Sequence, residues 1–108
     1  MSESNQVQLK KGVLEMLVLA LLARSESYAY EIANELADLI GMGEGTIYPL
    51  MRRLQNDGLV KTYLQESDAG PSRKYYRLTQ LGREALAAQR APWDSFSAAI
   101  IKFLEQSL

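Results

Sequence analysis

The hydrophobic positions of this chain fall into four helical stretches and one pair of short segments rich in β-branched and aromatic residues. Residues 7–24 are apolar on nearly every face, with Val13, Leu14, Met16, Leu17, Val18, Leu19, Leu21 and Leu22 in succession. That pattern predicts a helix that must be covered from several sides. A domain of 108 residues can seldom supply such cover alone, so the pattern points to a second copy. Residues 25–27, Ser-Glu-Ser, offer N-cap chemistry, and Ala29, Ile32, Ala33, Leu36 and Ile40 follow at helical spacing. They predict a short amphipathic second helix.

Gly41-Met-Gly-Glu-Gly45 interrupts that pattern. Pro49 lacks an N–H and fits without penalty only in a first turn, so a third helix is expected to begin nearby, with Gly45 or Thr46 as its N-cap. Ile47, Leu50, Met51 and Leu54 make an inward i, i+3, i+4, i+7 stripe, which leaves Thr46, Tyr48, Pro49, Arg52, Arg53, Gln55 and Asn56 outside. Asp57-Gly58 ends the helix, Gly58 being suited to a left-handed C′ position and Leu59 to the apolar contact that accompanies it. Residues 60–66 and 73–78 read as strands flanking Ser67-Asp-Ala-Gly-Pro-Ser72, a hairpin with a long tip. Thr79 is placed to cap a last helix, along which Trp93, Phe96, Ile100, Phe103 or Leu104, and Leu108 recur at spacings of three and four. Pro92 is expected to kink that helix near Ala88 or split it.

The fold class is therefore mainly α with a small β-hairpin. Three helices, a hairpin and a fourth helix are the order of a winged helix-turn-helix, here residues 1–79, with an appended C-terminal helix, residues 80–108, suited to dimerisation. The longest apolar run, residues 13–23, contains Glu15 and is far shorter than the roughly 20 residues needed to cross a bilayer. No apolar segment followed by a small-residue cleavage site opens the chain, and a cytoplasmic protein without membrane contact is expected. At its ends, residues 1–5 are expected to be disordered.

Composition narrows the chemistry. The chain has no cysteine and no histidine, which removes disulfides, thiolate nucleophiles, imidazole bases and the common zinc and haem ligand sets. No cofactor and no metal are expected, and an enzyme is disfavoured. A net charge of −1 and a pI near 5.4 argue against nucleic-acid binding by bulk basicity. Residues 44–83, however, carry seven cations (Arg52, Arg53, Lys61, Arg73, Lys74, Arg77, Arg83) against four acids, so positive charge is concentrated on the third helix and the hairpin.

Four stretches, in this order and spacing, carry a family resemblance: Ser27-Tyr-Ala-Tyr-Glu-Ile32, Gly45-Thr-Ile-Tyr-Pro-Leu-Met-Arg-Arg-Leu54, Asp57-Gly-Leu59, and Arg73-Lys-Tyr-Tyr-Arg-Leu-Thr79 followed by Leu81-Gly82. From about Lys11 onward the chain resembles the PadR-like transcriptional regulators. Its single C-terminal helix is similar to those of the short subfamily, which includes multidrug-sensing repressors with a tryptophan on the last helix, where Trp93 stands here. The resemblance implies a homodimer in which the C-terminal helix crosses onto the partner's first helix, with the third helix and the wing on double-stranded operator DNA. Ala91-Pro92 departs from what an unbroken dimer helix would carry, which bears on the shape of any ligand pore.

The residues themselves give each role a competing plain reading. Tyr48, Arg52 and Gln55 form one stripe of the third helix with Thr46, Pro49 and Arg53 beside it. Such donors suit base edges and phosphates in a major groove, and they equally make an ordinary solvated face. Arg73, Lys74 and Arg77 beside a Gly70-Pro71 tip suit phosphate or minor-groove contact, or protect an edge strand from aggregation. Lys10 and Lys11 meet a neighbouring phosphate or simply solvate a helix end. Trp93 either anchors a dimer interface with Val13, Leu17, Phe96, Ile100, Phe103 and Leu104, or stacks a planar aromatic drug or flavin-like ligand with Phe96 and Ser97 nearby. Asp94 beside it would favour a cationic ligand. Tyr28, Tyr30, Tyr63, Tyr75 and Tyr76 read as packing, Gly41–Gly45 lacks the spacing of a nucleotide cradle, and Glu31, Glu35 and Asp38 read as a solvated face. The function expected is a sequence-specific repressor released by such a ligand; the competing class is a winged helix that binds protein in place of DNA, which predicts no salt-dependent DNA affinity.

Overall fold

The structure, a computed structural model, describes residues 13–107. The sequence expectations for residues 1–12, including Lys10 and Lys11, and for Leu108 lie outside the described residues. In chain order the elements are α1 (Leu14–Arg24), β1 (Ser27–Tyr28), α2 (Ala29–Ile40), α3 (Glu44–Asn56), β2 (Val60–Ser67), β3 (Gly70–Leu78) and α4 (Gln80–Gln106). The three strands form one antiparallel sheet in the order β1-β3-β2. Helices α1 to α3 pack with the base of the sheet around Val18, Leu19, Ile32, Leu36, Ile47, Met51, Leu54 and Val60, all essentially inaccessible to water. This is the expected winged helix with a C-terminal helix.

The α3 stripe falls where its spacing puts it: Ile47, Leu50, Met51 and Leu54 are all buried. Its end is a Schellman turn, with the Leu59 N–H bonded to the Leu54 carbonyl (2.9 Å), the Gly58 N–H to the Gln55 carbonyl (3.1 Å), and Gly58 at φ +78°. Only glycine takes that conformation without cost.

Four local expectations are corrected. Ser27 does not cap α2; Ser27 and Tyr28 pair with Tyr76 and Tyr75 as a third strand, and the N-cap of α2 is Tyr28. Pairing with a strand almost fifty residues away overrides the local capping preference. The N-cap of α3 is Gly43, whose carbonyl accepts from the Thr46 and Ile47 amides, so Pro49 lies inside the helix and beyond its first turn. The carbonyl that Pro49 cannot bond belongs to Gly45, which is exposed and open to water. The hairpin tip is two residues, Asp68-Ala69, with Ser67 opposite Gly70. Pro71 falls in the register irregularity below it, a position where a missing donor breaks no ladder bond. Finally, Pro92 does not split α4, which runs unbroken over 27 residues; the carbonyl it orphans is on Ala88, on the exposed side of the helix.

Thr79 caps α4 as expected: its hydroxyl accepts from the Gly82 amide (3.0 Å). The first turns of α4 lie on the core through Ala85 and Leu86. Beyond them the helix leaves the domain. A radius of gyration of 16.0 Å, against about 13 Å for a compact chain of this length, measures that projection.

Candidate nucleic-acid interface

Side chains on α3 are set about 100° apart per residue, so the four buried positions fix the rest. Opposite the buried arc stand Arg52, Pro49 and Asn56, all exposed. Tyr48 and Gln55 lie on one flank, and the Gln55 amide approaches the Thr62 hydroxyl of β2 at 3.5 Å, which ties α3 to the hairpin. Tyr48 is half-buried, and its phenol is raised from its ordinary pKa, first by desolvation and then by Glu44. It is therefore a neutral hydroxyl at physiological pH. Thr46 and Arg53 lie on the other flank, facing α1. Arg52 makes no ion pair with any described residue, whereas Arg53 reaches Glu15 of α1 at 2.8 Å and Asp57 at 3.7 Å. Two consecutive arginines thus have different surroundings, one solvent and one a carboxylate of the same subunit.

The wing cations do not share a face. Strand alternation puts Lys74 with Tyr76 and Leu78 on the core side, the side of the Gln55–Thr62 contact, with its ammonium 5.5 Å above the Tyr76 ring. Arg73 and Arg77 are on the outer face. There Arg73 lies 4.6 Å from the centre of the Tyr28 ring, a cation–π arrangement that orders it. Alongside it Tyr75 packs against Tyr28 in a tilted arrangement at 5.4 Å and stacks on Tyr63 at 5.8 Å. Tyr63 donates a hydrogen bond to Glu26, which raises the Tyr63 pKa above its ordinary value. Of these tyrosines only Tyr76 is core; Tyr30 is over half exposed. Gly70 begins β3 at the tip, and a Cβ there would meet nothing within 4 Å.

The distal half of α4 is apolar and uncovered. Trp93 is 42% exposed, and Phe96, Ile100, Phe103 and Leu104 are exposed to between 44% and 67%. Ser97 is half-buried and donates to the Asp94 carbonyl, so its hydroxyl is turned back onto the helix. Val13, the N-cap of α1, and Leu17 within it are half-buried. An open groove of about 800 Å³ runs between α1, α2 and α4, lined by Leu17, Leu21, Leu36, Leu39 and Leu86 among others. Among the described residues no cluster of acids could hold a metal ion, and no helix is long and apolar enough to cross a membrane.

One polar contact has no counterpart in the pattern of α3 or the wing. The Glu15 carboxylate, 26% exposed, receives Arg53 of α3 on one oxygen and the Gln89 amide of α4 on the other. The available signal was Glu15 itself, the single charge inside an apolar run.

Residues 18–88 match the family described as the transcriptional regulator PadR-like family. Among solved structures, the fold is similar to that of a PadR-like transcriptional regulator from Bacillus cereus strain ATCC 14579, with a TM-score of 0.83 and 36% identity over 90% of this chain and 96% of that one. It is also similar to a Streptococcus transcriptional regulator, with a TM-score of 0.79 and 32% identity over 94% and 98% of the two chains. Transcriptional regulator Rv3488 of Mycobacterium tuberculosis is 35% identical over 57 residues, about half of each chain.

Proposed function

This chain belongs to the PadR-like family of transcriptional regulators, a family of regulators and not of enzymes, and we propose that it acts as a homodimeric repressor. In this reading two α3 helices enter successive major grooves of a pseudo-palindromic operator, about 34 to 36 Å apart. The observation that carries it is the division of α3: the buried arc fixes the helix on the core while Arg52, Pro49 and Asn56 face outward with no described ion-pair partner for the guanidinium. Arg52 and Gln55 supply bidentate donors for base edges, and Thr46, Tyr48 and Pro49 flank them. Lys74 meets phosphate from the α3 side of the wing, with Gly70 allowing close approach of the tip. Arg73 and Arg77, on the outer face, reach the backbone beyond it.

The exposed face of α4 supports the dimer. Six large apolar side chains from Trp93 to Leu104, Ile101 among them, are exposed, more than an isolated domain leaves uncovered on one helix. The partner's α4 seated against α1, along the groove with Leu17 and Val13, would bury them. A planar aromatic ligand held between the two Trp93 rings, with Phe96 and Ser97 beside it, would then change the separation of the α3 helices and release DNA. Such release requires a differential affinity for two dimer states worth about 1 to 3 kcal/mol.

The test is selection of duplexes from a random-sequence DNA pool, followed by titration of the enriched duplex at several salt concentrations. Sequence-selective binding that weakens steeply with salt is expected, and Arg52→Ala should weaken it by about 1 to 3 kcal/mol per half-site while leaving the dimer intact. Enrichment of no sequence, or affinity indifferent to Arg52, would support the competing protein-binding module.

A further inference from the structure

Among the described residues, the Glu15 carboxylate is the one place where α1, α3 and α4 meet through polar side chains. Arg53 Nη2 lies 2.8 Å from Glu15 Oε1, and Gln89 Nε2 donates to Glu15 Oε2. Neither oxygen is shared, so the carboxylate holds both helices at once. Glu15 sits near the start of α1, whose neighbours Leu14, Val18 and Leu19 are buried, so its backbone is fixed by the core. Arg53 is one residue from the outward-facing Arg52 and carries a second, longer contact to Asp57, the C-cap of its own helix. Gln89 stands just before the point where α4 leaves the domain, four residues ahead of Trp93.

We propose that Glu15 is a positioning residue for DNA binding, which couples the setting of α4 to the setting of α3 through Gln89 and Arg53. The proposal rests on the reading of α3 as the DNA-contacting helix. It removes Arg53 from the set of direct DNA contacts: its guanidinium is turned toward Glu15 at 2.8 Å, with Asp57 at 3.7 Å, and it acts through Glu15. A rotation or shift of α4 moves Gln89 and takes its share of the carboxylate with it. Arg53 must then follow Glu15 or lose it, and either response alters the angle at which Arg52 is presented. The chain thus contains a physical connection between the helix that would bind the partner and ligand and the helix that would bind the operator.

The experiment compares wild type, Arg53→Ala, Glu15→Leu, Glu15→Gln and Gln89→Leu on full-length protein. Two readouts are taken: affinity and salt dependence on the enriched duplex, and hydrogen exchange of the α3 amides. Glu15→Leu, Arg53→Ala and Gln89→Leu are each expected to weaken binding about fivefold, the lower end of usual couplings, with the slope of log affinity against log salt unchanged. Glu15→Gln, whose amide can still accept from Arg53 and donate to the Gln89 carbonyl, should retain most of the affinity. Gln89→Leu should speed exchange at residues 53–57 while α2 is unaffected. A slope reduced by about one or more in Arg53→Ala would make Arg53 a phosphate contact and overturn the proposal. So would α3 exchange indifferent to Gln89→Leu. If wild type enriches no duplex, the DNA-binding reading falls, and the exchange measurement alone decides whether α4 and α3 are coupled.

Discussion

A Cβ placed on Gly82 would lie 2.1 Å from the carbonyl oxygen of Leu59. The first turn of α4 therefore sits directly on the backbone that leaves α3, and Thr79 holds the same junction: its hydroxyl lies 2.7 Å from the Gly58 carbonyl and 3.0 Å from that of Leu59, and its amide bonds the Leu59 carbonyl at 3.1 Å. The angle at which α4 leaves the domain is set here, next to the end of α3.

Gly82→Ala should be among the most damaging small substitutions in the chain, because the clash is with main chain that cannot move aside. A loss of about 2 to 3 kcal/mol, or a fall of roughly 10 °C or more in Tm at fixed protein concentration, is expected from thermal unfolding. Gly45→Ala is the control. A Cβ there meets nothing within 4 Å, so its fold should be unharmed or more stable by about 0.5 to 1 kcal/mol. Equal effects of the two would remove the close approach as the reason for glycine at 82.

Thr79→Val keeps the shape of the side chain and removes both the acceptor for the Gly82 amide and the donor to the Gly58 and Leu59 carbonyls. The denaturant midpoint should fall by an amount equivalent to about 1 to 2 kcal/mol with an unchanged m-value. A midpoint equal to wild type would show that water replaces these bonds without loss.

Tyr63→Phe tests the hydrogen bond to Glu26 through its pH dependence. The folded state raises the Tyr63 pKa, chiefly through that bond and secondarily by desolvation, so the neutral phenol is favoured in the fold. The contribution is present below the unfolded value of about 10 and is lost as pH rises through the folded value. Wild type should therefore exceed Tyr63→Phe in stability by a constant margin from about pH 6 to 9. That margin should shrink above about pH 10. A margin still intact at about pH 11.5 would assign it to packing in the tyrosine stack.

Trp93 is the chain's only tryptophan and is partly exposed, so its fluorescence reports the proposed ligand site without ambiguity. Titration with planar aromatic drugs and flavins should give saturable quenching, and Trp93→Ala should abolish binding when measured by a label-free method. Absence of quenching across such compounds would leave Trp93 as interface packing.

Patterns with a short reach in sequence were legible. The stripe of Ile47, Leu50, Met51 and Leu54, the glycine at 58 and the cap at Thr79 each depend on residues within a turn or two. Features set by distant partners were not. Ser27 looked like a cap because nothing local reveals that Tyr76 will pair with it. The local sequence predicts a tip of six residues because Gly70, Pro71 and Ser72 favour turns, while the ladder from Val60 to Gln65 carries β3 on to Gly70 through a bulge. Arg53 could not be told from Arg52 by type or neighbourhood, and only the approach of α1 separates them. The exposed apolar half of α4 was legible as a periodicity, and the structure adds that nothing within the described chain covers it.

The central claim, a dimer that places two α3 helices on one operator, is tested most directly by the mass of the complex with the enriched duplex, measured by native mass spectrometry or sedimentation. Two chains on one duplex are predicted, with protected half-sites centred about 10 base pairs apart or a multiple of that, and Phe103→Glu should break the dimer and the complex together. A complex with one chain per duplex, or a dimer that retains no duplex at any salt concentration, would contradict it.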